Sequence, residues 1–164
     1  MKILALDAST KSTGVALFDN NTLTKYACFT ASSTDVIKRI KNIISDLNNF
    51  MSENTIDKII LEEVRPETGI NLSTYRALMW LQAAINFMVH EHYPKVKIEY
   101  VYPNSWRAAC GIRTGRGIKR EELKKADIEF VKNTYNLTVN DDIADAIGIG
   151  HSFIHQLSNE VNWE

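Results

Sequence analysis

The chain has 164 residues, a hydrophobic content of 45% and a formal net charge of −1. That length suits one domain, residues 1–164, large enough to bury a core. The near-zero charge excludes a uniformly basic nucleic-acid binder, and no apolar stretch reaches membrane-spanning length.

The first strand, Lys2 to Asp7, carries four apolar residues in a row and then a carboxylate. A short unbroken apolar run suits a strand covered on both faces. An unpaired acid is costly to bury, so Asp7 is expected where the strand runs out, facing a cation. The opening residues, with one Lys, a short apolar run and an early Asp, read as a strand rather than a signal peptide. Ser9 to Gly14 is turn chemistry, with Gly14 free to take positive φ. Val15 to Phe18 and Leu23 to Thr30 complete a three-stranded meander around a turn at Asp19-Asn20-Asn21.

Thr34-Asp35 can cap a helix running to about Glu53, with Val36, Ile37, Ile40, Ile43, Ile44 and Leu47 at helical spacing. Lys58 to Glu63 repeats the opening theme, apolar run then carboxylate, and after a helix reads as a crossover strand parallel to the first. Arg65 to Gly69 reads as a loop. A helix from about Asn71 to His92 is apolar on more than one side, which suggests a second partner such as another copy of the chain. Its Trp80 and Phe87 read as core or dimer contacts. Val96 to Tyr102 alternates as a fifth strand, and Pro103 opens a short helix through Cys110. Gly111, Gly115 and Gly117 punctuate a basic loop. Helices follow at Lys119 to Tyr135 and, capped by Asn140, at Asp141 to about Leu157. The sum is an α/β fold with a five-stranded mixed sheet, an antiparallel meander plus parallel strands, flanked by helices.

If the first and fourth strands are parallel neighbours, Asp7 and Glu62 share the sheet edge at which open α/β sheets bind ligands. Asp142 and Asp145 are three apart and share a helix face, with Asp141 a competitor for the role and Glu63 a competitor for that of Glu62. The surrounding Ala144, Ala146, Ile147, Gly148 and Ile149 make an acidic pair expensive to bury unless a metal neutralises it. Phosphodiester hydrolysis by two hard ions needs such a set of oxygen ligands, with no His or Ser nucleophile. Taken singly, each acid reads equally as a cap or a helix-dipole partner.

Basic residues cluster between Arg107 and Lys125, whereas no Lys or Arg follows Lys132. Arg107, Arg113, Arg116 and Lys119 suit phosphate contacts, against the plainer reading of a solvated loop and helix face. Arg76 on the long helix faces either DNA or solvent. His151 and His155 lie four apart, a spacing that can hold zinc, but no HExxH or cysteine accompanies them and they read as ordinary histidines. Cys28 and Cys110 form no CxxC and are expected as free thiols in a reducing cytosol, which makes the chain cytoplasmic.

Ile3-Leu4-Ala5-Leu6-Asp7-Ala8-Ser9 with Thr13-Gly14, Leu61-Glu62-Glu63-Val64, and Asp142-Ile143-Ala144-Asp145-Ala146 resemble, in order and spacing, the RuvC-type Holliday junction resolvases. The resemblance runs through nearly the whole chain. It implies a ribonuclease H-like fold, a homodimer, Mg²⁺ or Mn²⁺ as a pair of ions, and a branched-DNA substrate, above all four-way junctions, in recombination and repair. It places the catalytic and metal-binding acids on Asp7, Glu62, Asp142 and Asp145, so choosing Glu62 over Glu63 and Asp142 over Asp141, and family basic residues on Arg107 and Lys119. It implies cleavage that leaves a 5′-phosphate and a 3′-hydroxyl. One departure concerns junction selectivity: Arg65 stands where the family usually has an aromatic residue. A nuclease of the same fold acting on other branched DNA or on RNA–DNA hybrids fits the acid set as well. An actin-like nucleotide-binding domain would need a second lobe for which 164 residues leave no room, and a junction binder without catalysis would not need the complete acid set.

Overall fold

The computed structural model describes residues 1–66 and 70–160, without the side chains of 157–160. Residues 67–69 of the loop expected at 65–69 lie outside the described residues. The strands are β1 (Lys2–Asp7), β2 (Ser12–Asp19), β3 (Thr22–Thr30), β4 (Lys58–Glu62) and β5 (Lys97–Val101), and the helices α1 (Val36–Ser52), α2 (Leu72–His92), α3 (Pro103–Ala109), α4 (Arg120–Tyr135) and α5 (Asp141–Glu160). The sheet order is β3-β2-β1-β4-β5, with β1 antiparallel to β2 and parallel to β4, and β5 parallel to β4. The expected meander, crossover and mixed sheet are all present, and α5 continues three residues beyond the expected end.

The unbroken apolar runs are explained by two cores, one on each face. Leu4 and Leu6 point with Leu61 toward α1 and α2, where Ile43, Leu47, Leu81 and Ile85 are fully buried. Ile3 and Ala5 point with Ile60 toward the other helices, meeting Trp106, Val131, Ala144 and Ile147. Because successive side chains on a strand alternate faces, a strand sandwiched this way has no polar face to show. The caps read from sequence hold, Asp35 Oδ1 accepting from Ile37 N at 2.8 Å and Asn140 Oδ1 from Ile143 N at 2.9 Å, and Asn71 Oδ1 caps α2 by accepting from Ser73 N at 2.8 Å.

One expectation is corrected. Gly14 does not turn the chain: it lies inside β2, opposite Asp7 and Cys28, whereas Asn20 takes the positive φ (51°) of the next turn. Gly14 is needed for space. A Cβ built there would lie 1.9 Å from the backbone oxygen of Asp142, so only a residue without a side chain lets the first turn of α5 rest on β2. On α2 one face covers the sheet through Leu81, Ile85, Met88 and Val89, and the surplus is exposed, which removes the core alternative for Phe87 (75% exposed) and Trp80 (45%).

Gly14→Ala is expected to destabilise the protein by about 2–3 kcal/mol, the scale of overpacking a closed interior. An extended glycine with room around it would instead gain from the substitution. Urea unfolding reads the sign, and a variant as stable as the wild type would refute the close seating of α5.

Candidate active site at the carboxyl edge of the sheet

Asp7 is the last residue of β1 and Glu62 the last of β4; the register pairs Leu6 with Leu61, so the two acids leave the sheet side by side. Across the sheet end, the first turns of α5 bring Asp142 and Asp145. Asp7 is held well above the ordinary carboxyl range, first by burial, then by the negative charges of Glu62 and Asp142, with Arg107 and Arg120 pulling the other way. Asp145 is pushed up to about 10 by burial, and then by Asp7 and Asp127, against the pull of Arg107. The four acids therefore share one electrostatic field although they come from three separate parts of the sequence.

Each of three acids leans on a neighbour. The indole of Trp106, fully buried at the start of the second core, donates from Nε1 to Glu62 Oε2 at 2.6 Å. Ser12 Oγ donates to Asp142 Oδ2, and the Cys28 thiol lies 3.1 Å from the same hydroxyl. Arg107 Nη2 donates to Asp145 Oδ2 at 3.2 Å. Asp145 Oδ1 is buried and has no hydrogen-bond partner among the described residues. As the side chains stand, no three His, Cys, Asp or Glu among the described residues form a ready metal-ligand group. The chemistry of the donor set nonetheless fits a hard divalent ion: buried carboxylates repelling one another, one with an orphaned oxygen, present more acceptor capacity than the site has donors.

The competing acids are accounted for elsewhere. Asp141 takes an ion pair from Lys124, whose hydrogen bond holds it below the ordinary range. Glu63 donates its backbone N–H to Val101 O at 2.9 Å and lines a separate cleft of about 640 Å³ with Met79, Gln82 and Phe87.

Arg107 needs the main correction. Expected as a phosphate contact, it is only 8% exposed. Its guanidinium forks onto Asp127, with Nε 3.1 and 3.0 Å from the two carboxylate oxygens and Nη2 2.9 Å from Oδ2. Its face lies 4.3 Å from the Trp106 ring centroid. The buried acid on α4 drew it inward: Asp127 is fully buried, and a buried carboxylate demands a cation. Arg107 thus ties α3 to α4 and α5 and orients Asp145. Lys119, Arg113, Arg116, Arg65 and Arg76 are exposed, as phosphate contacts must be. Arg113 and Arg116 line a cavity of about 700 Å³ beside Phe130. Arg65 is stacked on Tyr102, 3.6 Å from the ring centroid.

Sequence reasoning missed Ser12, Trp106, Asp127 and Arg120. Asp127 left a signal, a lone acid one helical turn before the buried Val131. Ser12 and Trp106 left none, because their partners are 130 and 44 residues away.

No protein-family model matches the sequence, and no curated protein matches it. Solved structures do. Thermus thermophilus RuvC in complex with a Holliday junction substrate superposes with a TM-score of 0.75 at 12% identity, covering 96% of each chain. The yeast mitochondrial Holliday junction resolvase gives 0.64 at 11% identity, over 98% of this chain and 80% of that one. The Fowlpox virus resolvase, solved with Holliday junction DNA, gives 0.55 at 17% identity, over 94% and 99%. The fold is therefore ribonuclease H-like and is the one seen in RuvC-type resolvases.

Asp127→Ala would strand the Arg107 charge in the interior. The expected cost is about 3 kcal/mol, the lower end for breaking a buried pair, because Asp145 remains as a partner. The midpoint of urea unfolding measures it, and a loss under 1 kcal/mol would show that Arg107 escapes to solvent.

Proposed function

We propose that this chain is a metal-dependent endonuclease that resolves four-way DNA junctions by paired nicks, acting as a homodimer in recombination and repair. The observation that carries the reading is the shared electrostatic field of Asp7, Glu62, Asp142 and Asp145 at one sheet edge, in a fold that matches a junction-bound resolvase over 96% of each chain.

In this reading the four acids hold two Mg²⁺ or Mn²⁺ ions. Bound ions would supply Lewis acidity toward the scissile phosphate and its leaving oxygen. The protein contributes the rest. Trp106 fixes one oxygen of Glu62, Ser12 one of Asp142 and Arg107 one of Asp145, so the carboxylates are oriented before substrate arrives. Binding ions requires those side chains to share their oxygens between neighbour and metal. Lys119, Arg113 and Arg116 present exposed positive charge for backbone phosphates. Arg65, stacked on Tyr102, stands at the position that bears on junction selectivity. The exposed Met79, Trp80 and Phe87 of α2 support the homodimer, in which each subunit nicks one strand.

The test is cleavage of labelled four-way, three-way and linear DNA and of an RNA–DNA hybrid, in Mg²⁺ and in EDTA. Paired nicks in the four-way junction, abolished by EDTA, are expected. Asp7→Asn should slow them by at least about 100-fold, the scale of losing one electrostatic stabiliser of the reaction. Wild-type rates in that variant would reject the reading, and preferential cutting of the hybrid would redirect it to a ribonuclease.

A second outcome follows from Asp145. Unfolded, its carboxyl loses the proton near pH 4; folded and metal-free, near pH 10. The folded form thus binds the extra proton, so this group's contribution to stability is full below about pH 4 and declines as pH rises toward 10. With a divalent ion bound, Asp145 would hold the ion in place of that proton. The Mg²⁺-induced rise in the thermal midpoint should therefore be larger at pH 8.5 than at pH 6.5. Equal shifts would mean that Asp145 is not a ligand.

A further inference from the structure

Beyond the acidic site, α5 carries a second group of potential ligands near its other end. His151 and His155 are one helical turn apart, with ring centroids 4.1 Å apart. The Tyr135 hydroxyl on α4 lies 2.7 Å from His151 Nδ1. The contact accommodates either tautomer, and in the one with the ring proton on Nδ1 that nitrogen donates to Tyr135 and Nε2 offers its lone pair. A metal-binding histidine is characteristically anchored this way, by its other nitrogen. Phe130 meets the His151 ring edge-on at 4.9 Å between centroids and fixes its plane. Both histidines, Tyr135 and Asn21 line a cavity of about 230 Å³, room for an ion with its remaining waters.

We infer that His151 and His155 form a second metal site, selective for borderline transition ions such as Zn²⁺ or Ni²⁺ over the hard Mg²⁺. Neutral imidazole nitrogen prefers the former and carboxylate oxygen the latter, so the two ends of α5 sort cations by ligand chemistry. His90 and His92, the other two histidines, differ in spacing: two residues apart on a helix, they point in different directions. With two protein ligands the site leaves open positions to water, which makes it a reversible site rather than a closed structural one.

The experiment is Zn²⁺ titration of the intact protein in millimolar Mg²⁺, added to compete for the carboxylates, followed by calorimetry and by the histidine ring signals in NMR. One equivalent of Zn²⁺ is expected to shift the rings of His151 and His155 and leave those of His90 and His92 in place. His155→Ala, at an exposed position, should fold normally and weaken Zn²⁺ binding at least about tenfold. Tyr135→Phe, which keeps the ring and removes the anchor, should weaken it about tenfold. Zn²⁺ binding of undiminished affinity in His155→Ala, or His151 and His155 rings insensitive to Zn²⁺, would overturn the assignment. Neither result bears on the nuclease reading, which junction cleavage in Mg²⁺ tests by itself.

Discussion

Like charges packed together at the end of a sheet are the constraint on which this structure turns. Asp7 and Glu62 leave adjacent parallel strands, and α5 lowers Asp142 and Asp145 onto them. Unrelieved, such a cluster is among the most expensive arrangements an interior can hold. The fold relieves it piecemeal: an indole N–H for Glu62, a hydroxyl for Asp142, a guanidinium for Asp145 and the attraction of Arg107 and then Arg120 for Asp7. What is left uncompensated, including an orphaned oxygen on Asp145, is the capacity a divalent cation would fill.

The closeness of α5 to the sheet is set by residues lacking bulk. Gly14 makes way for the Asp142 carbonyl. On the helix itself, a Cβ at Gly148 would lie 2.5 Å from the Trp106 ring and one at Gly150 2.2 Å from Phe18. The same Trp106 that fills the gap beside Gly148 reaches Glu62 with its N–H. Packing and electrostatics are thus served by one side chain, so its replacement disturbs both at once.

Local pattern made the architecture legible. Apolar runs closed by an acid read correctly as doubly covered strands, and Asp35, Asn71 and Asn140 marked their helix starts. Asp7 and Glu62 could be singled out because a carboxylate after an apolar run is anomalous within a few residues, whereas choosing Glu62 over Glu63 and Asp142 over Asp141 took the family resemblance. The residues that hold the acids could not be singled out, because nothing local distinguishes Ser12 from any turn serine or Arg107 from its neighbours in a basic segment. Arg107 was misread because its environment is made by Asp127, twenty residues on and on another element. Gly14 was misread for a related reason: its neighbour in space is 128 residues away, and a glycine required for clearance looks, in sequence, like a glycine required for a turn.

The acids hang on β1, β4 and the start of α5, the most enclosed elements of the molecule: β1 lies mid-sheet with helices against both faces. The backbone amides of β1 are covered by both cores, which places them among the last expected to open to solvent. Strand fraying at the edge of the sheet therefore leaves the two acids on β1 and β4 in place, and their neighbourhood is lost with the cores that carry it.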